Sequence, residues 1–587
     1  MALSKISLKP GINRQLTATL NEGGYTDGNL VRFRDGLPQP VGGWARFAVS
    51  AVEGVARAIR SWTTLSSFVV TAIATHLRLY VLSGNVLYDI TPARSTRALT
   101  DPFTTTAGSA NLLVTCNTHG ASVGDRVVLP STTLGGVTFG GEYAVSNVPD
   151  GYTFYVTLAT AATSTATGGG SVSVVFLIPA GSADNVSEAG WGAGAWGTGT
   201  WGTPRGALIN ASQMTLWTLD TWGEELIACL RGGPIYNWQP SSGYGTRAAA
   251  ISGAPSAALA VLTGMPERHL IAFGATPIGS GAYDPLLIRW SDTEDYTDFI
   301  ATATNAAGSL RITGGNVIMG ALRSTLEILV WTDATLWSMR YEGTPYIYGT
   351  FLLGAGCGLI SPRGAAILGG RVFWMTQNGF YSYAGSVEPL HCEVWDAVFR
   401  NINTAQMGKT FAATNSSFNE VLWFYPSASS SEVDSVVAFS VDGTWWTGSI
   451  ARTTWDDASS YSTPLAVSPD GVIYAHEVGT DADGEMLAAS VTTGYFDIAD
   501  GESMAFLDRL IPDFGDQAVG VKITIRAQKY PNGPIVTKGP YTIDSTTRWI
   551  SPRVRGRQIQ LEFANTDTGS FWRLGALRAR IAPDGSQ

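Results

Sequence analysis

The feature that most constrains the fold of this chain is a short hairpin pattern that recurs along the sequence. An apolar run ends in a turn of Gly, Asp or Asn, and an aromatic or aliphatic–aromatic pair follows the turn. Such turns need a positive φ that Gly and Asn adopt readily, and the flanking β-branched and aromatic residues favour strands. Six β-hairpins are therefore predicted, at residues 79–90, 226–238, 328–339, 372–383, 436–448 and 465–477.

The spacing of these hairpins indicates a repeat architecture. They recur at irregular intervals of about forty to one hundred residues, which is typical of the blades of a β-propeller. In a propeller, the aromatic residue after each turn would pack between neighbouring blades. A set of unrelated hairpins in a β-sandwich is the alternative. The sequence predicts an all-β chain, with the propeller formed by residues 61–100 and 179–480.

Other parts of the chain lack the pattern. Residues 101–178 are rich in Thr, Gly, Ser and Val and predict a small inserted β-domain. Residues 481–587 predict a C-terminal β-sandwich platform, and residues 1–60 an N-terminal arm or platform segment. Only residues 392–401 are typical of a helix, and residues 248–262 are assigned to a loop. A strap whose indoles dock on an apolar surface is predicted around Trp191, Trp196 and Trp201.

Composition excludes several classes of protein. Of the 587 residues, 45% are hydrophobic, which excludes global disorder, and 14% are charged, well below the usual quarter. The net charge of −10 gives no overall basic footprint and predicts that the chain does not adhere to DNA or anionic membranes. No signal peptide or apolar run of membrane-spanning length is found. The four cysteines form no C-x-x-C pair and are expected to be buried, in a protein made in a cytoplasm.

The sequence contains no recognised catalytic motif. G-x-S-x-G, H-E-x-x-H and G-x-x-x-x-G-K-[ST] are all missing, and the five histidines are scattered. We therefore expect no enzyme activity and no catalytic, cofactor-binding or metal-binding residues. Three acidic motifs are interpreted as turns or exposed loops, and not as catalytic or calcium sites. They are an Asp-box-like turn at Asp442 with an echo at Asp470, the cluster of Asp292, Glu294, Asp295 and Asp298, and a calcium-loop-like run at Asp481, Asp483 and Glu485.

Arginine is concentrated near the C-terminus. The residues are Arg548, Arg553, Arg555, Arg557, Arg573, Arg578 and Arg580, with few acids between them. One interpretation is a solvated face with surface ion pairs of little energetic weight. The other is a surface for an acidic partner, either protein or phosphate.

Several segments resemble tail proteins of short-tailed bacteriophages. They are GGYTDGNLVRFRDGLPQPVGGWARF (23–47), DTWGEELIACLRGGPIYNW (220–238), IRWSDTEDYTDF (288–299) and GSFWRLGALRARIAPDG (569–585). The Trp-Gly strap and HGASVGDRVVLP (119–130) are also similar to parts of such proteins. Most of the chain is covered, by many weak local matches. The chain is most similar to the tail hub or nozzle proteins that stabilise packaged DNA in P22-like phages.

This resemblance implies a structural protein of the virion tail. In that family a propeller-bearing chain forms a ring, commonly a hexamer. The ring prolongs the portal and adaptor channel and helps to retain the packaged DNA. The DNA passes through without sequence-specific binding, and the ring docks fibres, spikes or a needle. The family contributes no catalytic residues. The alternatives are a receptor-binding or glycan-binding tail protein and, third, a propeller glycoside hydrolase.

Overall fold

The computed structural model describes residues 3–185, 213–325, 327–497 and 502–585. These residues form an all-β structure, which confirms the predicted fold class. Within them there is one short α-helix, Trp395–Phe399, and three 3₁₀ turns, Pro240–Ser242, Thr404–Lys409 and Ser416–Phe418. The predicted Trp-Gly strap around Trp191 lies outside the described residues.

Seven four-stranded antiparallel sheets follow one another along the chain. In the first six, consecutive strands pair as a meander, and sheet 7 takes its fourth strand from the start of the chain. Sheet 1 is Ala56–Thr63, Val69–Thr75, Leu79–Ser83 and Val86–Asp89; sheet 2 is Trp217–Trp222, Glu225–Leu230, Ile235–Trp238 and Ala249–Ala250; sheet 3 is Ala260–Thr263, Leu270–Phe273, Leu287–Trp290 and Gly308–Arg311. Sheet 4 is Ile318–Arg323, Ile328–Thr332, Thr335–Gly343 and Ile347–Ala355; sheet 5 is Ala365–Leu368, Arg371–Met375, Phe380–Tyr383 and Val387–Leu390. Sheet 6 is Phe411–Asn415, Glu420–Tyr425, Ser435–Ser440 and Trp445–Ser449; sheet 7 is Thr454–Asp456, Leu465–Val467, Ile473–His476 and, from the start of the chain, Trp44–Arg46.

All six predicted hairpins are confirmed, and each belongs to a different sheet. Sheet 3 was not predicted. A longer loop, residues 264–269, joins its first two strands, so the pattern of a tight turn followed by an aromatic pair is absent there. Two strands also fall within residues 248–262, where only a loop was expected. Repeated four-stranded meanders are the building units of propellers, and the β-propeller itself stays a prediction.

The chain divides into two compact units, Val52–Arg311 and the remainder formed by residues 1–51 and 312–587. In the first unit, sheets 1 and 2 share a core that includes Trp62, Trp217 and Trp238. In the second, Trp331 of sheet 4 meets Trp374 of sheet 5 with their ring centroids 5.6 Å apart. Each buried aromatic side chain removes a large apolar area from water, which contributes about 25 cal/mol per Å². Aromatic packing between successive sheets therefore holds each unit together.

The second unit also contains two C-terminal sheets, one of four strands and one of six, and each takes its outermost strand from the start of the chain. One sheet has the strand order Ser4–Ile6, Leu577–Pro583, Ala505–Ile511 and Val554–Gly556. The other has the order Tyr25–Asn29, Ser490–Thr493, Gln558–Asn565, Val521–Gln528 and Ile535–Ile543, with Phe496–Asp497 beside Gln558–Asn565. Two short pairs accompany them, Val31–Arg34 with Leu37–Pro40 and Phe514–Ala518 with Phe571–Leu574. We call residues 4–46 the N-terminal segment.

Residues 93–177 form an eight-stranded sheet with a hydrophobic core of its own, which includes Phe103, Phe154 and Phe176. Its sheet begins at Ala93, ahead of the predicted start at 101, because Ala93–Thr100 pairs along its length with Ser171–Leu177. The strands are Ala93–Thr100, Phe103–Thr105, Asn111–Thr115, Arg126–Leu134, Val137–Asn147, Thr153–Thr157, Ala166–Gly168 and Ser171–Leu177. We call residues 93–177 the insert.

Two smaller expectations are settled by the structure. The predicted helix at residues 392–401 is present but shorter, and it buries Val398, with Val394 just ahead of it also buried. All four cysteines are buried and unbonded, as expected.

Deletion of the insert tests its independence. Ala93 and Leu177 are paired in register, so their Cα atoms lie about 5 Å apart and a short Gly-Ser linker can replace residues 94–176. We expect a soluble variant with a cooperative thermal transition, because the core of the insert is separate. Circular dichroism and thermal melting measure this outcome. An insoluble product would show that the insert is needed for folding of the rest.

Candidate functional site

The most unusual chemical feature of the described residues is a buried arginine shared by two glutamates. Arg32, from the N-terminal segment, donates to Glu477 through Nη1 at 2.9 Å and Nη2 at 2.6 Å. Its Nη2 also lies 3.1 Å from Oε2 of Glu420, at the start of a strand of sheet 6. Arg32 and Glu420 are each only 2% exposed. We call these three residues the Arg32 cluster.

Neighbouring groups orient both carboxylates. The Trp446 indole donates to Glu420 at 2.8 Å, and the Asn415 amide donates to Glu477 at 2.8 Å. The backbone N–H of Gly42 also donates to Glu477, at 3.0 Å. A Cβ at Gly42 would lie 2.2 Å from the Glu477 carboxylate, so glycine is required for this approach. The cluster therefore ties the N-terminal segment to sheets 6 and 7.

Burial determines the protonation of the cluster, which holds one cation and two carboxylates. Burial raises the pKa of Glu420 to about 7; the Arg32 guanidinium opposes this rise and the Glu477 carboxylate adds to it. Burial lowers the pKa of Arg32, but the two glutamates more than compensate and the net direction is upward. A proton on Glu420 would leave the cluster neutral, which removes the cost of a buried net charge.

An open cleft of about 650 Å³ lies beside the cluster. Arg32, Glu420, Arg34, Asp35 and Asp442 are among the residues that line it. The ring of Phe418, also in the lining, stacks on the Arg32 guanidinium with 3.7 Å between the carbon of the guanidinium and the ring centroid. A protonated carboxylic acid at the base of such a cleft can donate a proton or a hydrogen bond.

The acidic residues that the sequence singled out mostly stabilise turns. Asp442 accepts hydrogen bonds from the backbone and the hydroxyl of Thr444, as a fold-stabilising turn requires. In the 292–298 cluster, Glu294 pairs with Arg268 and Asp295 caps the turn at Thr297. In the 481–485 run, Asp481 accepts from the backbone of Gly484 and Asp483 pairs with Arg46. Each of these motifs is therefore engaged in a turn or an ion pair of its own.

A second charged network lies in the other unit and fixes the insert. Arg78, 9% exposed at its side chain, pairs with Glu53 at 2.8 Å, with Asp89 at 2.6 Å and with Glu142 of the insert. Arg126 of the insert pairs with Glu53 in turn. Breaking a partly buried network of this kind leaves uncompensated charges, so it orients the insert against sheet 1.

Neither the Arg32 cluster nor the Arg78 network was predicted from the sequence. Arg32, Glu420 and Glu477 are separated by 388 and 57 positions, and no short motif joins them. The available signal was a carboxylate, Glu420, placed directly before the apolar strand residues VLWFY. In the part of the chain that the structure describes, no group of three or more His, Cys, Asp or Glu residues could hold a metal ion. Nor do the described residues include a helix long and apolar enough to cross a membrane.

Comparisons with known proteins do not assign a family. No protein-family model matches the chain, and a search of curated proteins gives no significant match. Among solved structures, the designed protein Ika8 is similar at a TM-score of 0.30 and 10% identity, covering 74% of this chain and 100% of its own. BamB from Moraxella catarrhalis has a TM-score of 0.27 and 15% identity, covering 46% and 84%. The endosialidase of phage phi92 has a TM-score of 0.19 and 12% identity, covering 72% and 63%. These TM-scores are too low to carry an argument about function.

The protonation of Glu420 can be tested through stability. Its pKa is about 7 in the folded chain against an ordinary value of 4.5, so between these pH values the folded chain binds more protons than the unfolded chain. The wild type therefore loses stability as the pH rises from about 5 to 8. Glu420→Gln keeps an acceptor for Trp446 but does not titrate. We expect the stability of the wild type relative to this variant to fall as the pH rises, measured by urea unfolding at pH 5 and pH 8.

The matched control is Glu388→Gln, whose carboxylate is 59% exposed. Its stability relative to the wild type should change little between the two pH values. A Glu420→Gln difference that is independent of pH would contradict the protonated cluster.

Proposed function

We propose that this chain is a structural component of the tail of a short-tailed bacteriophage. It forms a ring, a hexamer by resemblance, that prolongs the DNA exit channel, helps to retain the packaged genome and docks tail appendages. Its partners are other copies of itself, the portal or adaptor proteins, the fibres, spikes or needle, and the DNA that passes through. We further propose that it is not an enzyme, and that it is assembled in the host cytoplasm and resides in the virion.

The observation that carries this proposal is the position of the N-terminal segment. Its strands complete three sheets, with Ser4–Ile6 and Tyr25–Asn29 in the C-terminal sheets and Trp44–Arg46 in sheet 7. Each of these strands is the outermost of its sheet and joins the start of the chain to a strand more than 400 positions later. Such an interlocked unit suits a wall that must resist force from the DNA inside it.

Two of the segments that resemble phage tail proteins also meet in the structure. Residues 23–47 supply Arg32 and two of the completing strands, and residues 569–585 supply the strand that receives Ser4–Ile6. The two segments touch directly where Asp35 pairs with Arg573 at 2.7 Å. Two of the segments that carry the resemblance therefore help to hold this unit together, which supports a role in assembly.

Antibody labelling of virions tests the proposal. Antibodies raised against this chain should label the short tail on the particle axis when intact virions are viewed by electron microscopy. A pre-immune serum is the control. Absence of label on virions, with the chain found only in the lysate, would contradict the proposal and favour a soluble enzyme.

A glycan-binding tail protein is the second candidate, favoured by the cleft beside the Arg32 cluster. Charged side chains of Arg34 and Asp35 and the ring of Phe418 line this cleft, and its volume of about 650 Å³ is in the range of a small-ligand site. Label on lateral appendages, together with glycan binding that Asp35→Ala weakens, would favour this candidate over the ring.

A further inference from the structure

One face of a C-terminal sheet gathers basic residues from all four of its strands. The sheet is the one formed by Ser4–Ile6, Leu577–Pro583, Ala505–Ile511 and Val554–Gly556. Its opposite face, with Leu507, Leu510 and Leu577, is buried in the core. We call the outward side the basic face, and its cations are Lys5, Arg509, Arg555, Arg578 and Arg580.

The pairing register places these cations on one side. Lys5 pairs directly with Arg578, and Arg580 pairs directly with Arg509. Directly paired residues of an antiparallel sheet share a face, as do residues two apart on one strand, such as Arg578 and Arg580. Arg555 lies on the same face. It pairs with Phe506, and Phe506 also pairs with Ala582, which is two residues from Arg580 on one strand. The basic face is therefore a consequence of the strand register.

Only part of this charge is compensated. The register shifts between Leu507 and Arg509, and Asp508, placed at this irregularity, pairs with Arg580. Arg555 pairs with Asp584 at 2.7 Å. Within the described part of the chain, Lys5, Arg509 and Arg578 form no ion pair, and Arg509 instead stacks on the half-exposed ring of Trp549 at 4.8 Å.

The basic face stands out against an acidic chain. Residues 502–585 contain 12 Arg and Lys residues and eight Asp and Glu residues, whereas the rest of the chain contains 25 and 39. The net charge of −10 therefore hides a C-terminal part of net positive charge. A chain with this distribution can repel a polyanion over most of its surface and attract it at one place.

The composition of the basic face favours a polyanion over a protein partner. Protein surfaces mix charges of both signs, whereas duplex DNA presents continuous rows of phosphates that Arg and Lys contact without reading sequence. We propose that the basic face binds the phosphate backbone of duplex DNA. This inference deepens the proposed function, because it rests on a channel that contains DNA and assigns retention of the genome to these cations.

Salt-dependent binding of DNA tests the inference. The full-length chain is titrated with a fluorescent 30-base-pair duplex of arbitrary sequence at several salt concentrations, and binding is followed by fluorescence anisotropy. Each phosphate contact contributes about −0.9 to the slope of log K against log salt concentration. We expect a slope of about −3 for the wild type. Arg578→Glu should weaken binding about tenfold at low salt and reduce the slope by about one.

The matched control is Arg97→Glu, the same charge change at an exposed position of the insert. It should bind DNA nearly as the wild type does. If both variants weaken DNA binding equally, the effect comes from net charge alone and the proposal is overturned. A wild type that does not bind the duplex would also overturn it.

Two further outcomes separate the possible failures. In the first, the wild type self-associates in a salt-sensitive way and does not bind DNA. If Arg578→Glu abolishes that self-association, the ligand of the basic face is a second copy of the chain and the DNA proposal is overturned. Antibody label away from the tail axis, with DNA binding intact, would overturn the proposed ring and leave the DNA-binding face standing.

Discussion

Pairing between the first 46 residues and strands more than 400 positions later is the interaction on which the rest of this structure depends. Without it, sheet 7 and both C-terminal sheets would each lack their outermost strand. The N-terminal segment is in turn held by Arg32, whose carboxylate partners are Glu420 of sheet 6 and Glu477, directly after a strand of sheet 7. Backbone pairing and a buried charge thus stabilise the same junction.

Charged residues are few in this chain, and two networks of them fix how its elements are arranged. The Arg32 cluster joins the N-terminal segment to two sheets, and the Arg78 network joins the insert to sheet 1. Buried ion pairs contribute little net stability but are costly to break, so they specify one arrangement. The basic face differs, because its cations are outward and partly uncompensated. Constraint at the junctions and a positive surface elsewhere both fit the proposed ring around DNA.

The local structure could largely be predicted from the sequence, and the long-range structure could not. The six hairpins are encoded in windows of about a dozen residues, since turn chemistry and strand propensity act locally. Sheet 3 was missed because the loop at 264–269 carries no such signal. The pairing of Ser4–Ile6 with Leu577–Pro583 has no local signal at all. The Arg32 cluster was missed for the same reason, since only folding brings Glu420 and Glu477 to Arg32. The C-terminal Arg residues were noticed, but their shared face follows from a register that the sequence does not display.

The central claim is that this interlocked chain forms the wall of the axial channel of a phage tail. A three-dimensional reconstruction of the tail from intact virions, computed by electron cryo-microscopy without imposed symmetry, tests it most directly. The account predicts a closed ring of copies of this chain around the axis, with the DNA path through its centre. Copies placed singly at the periphery of the tail, away from that path, would contradict it.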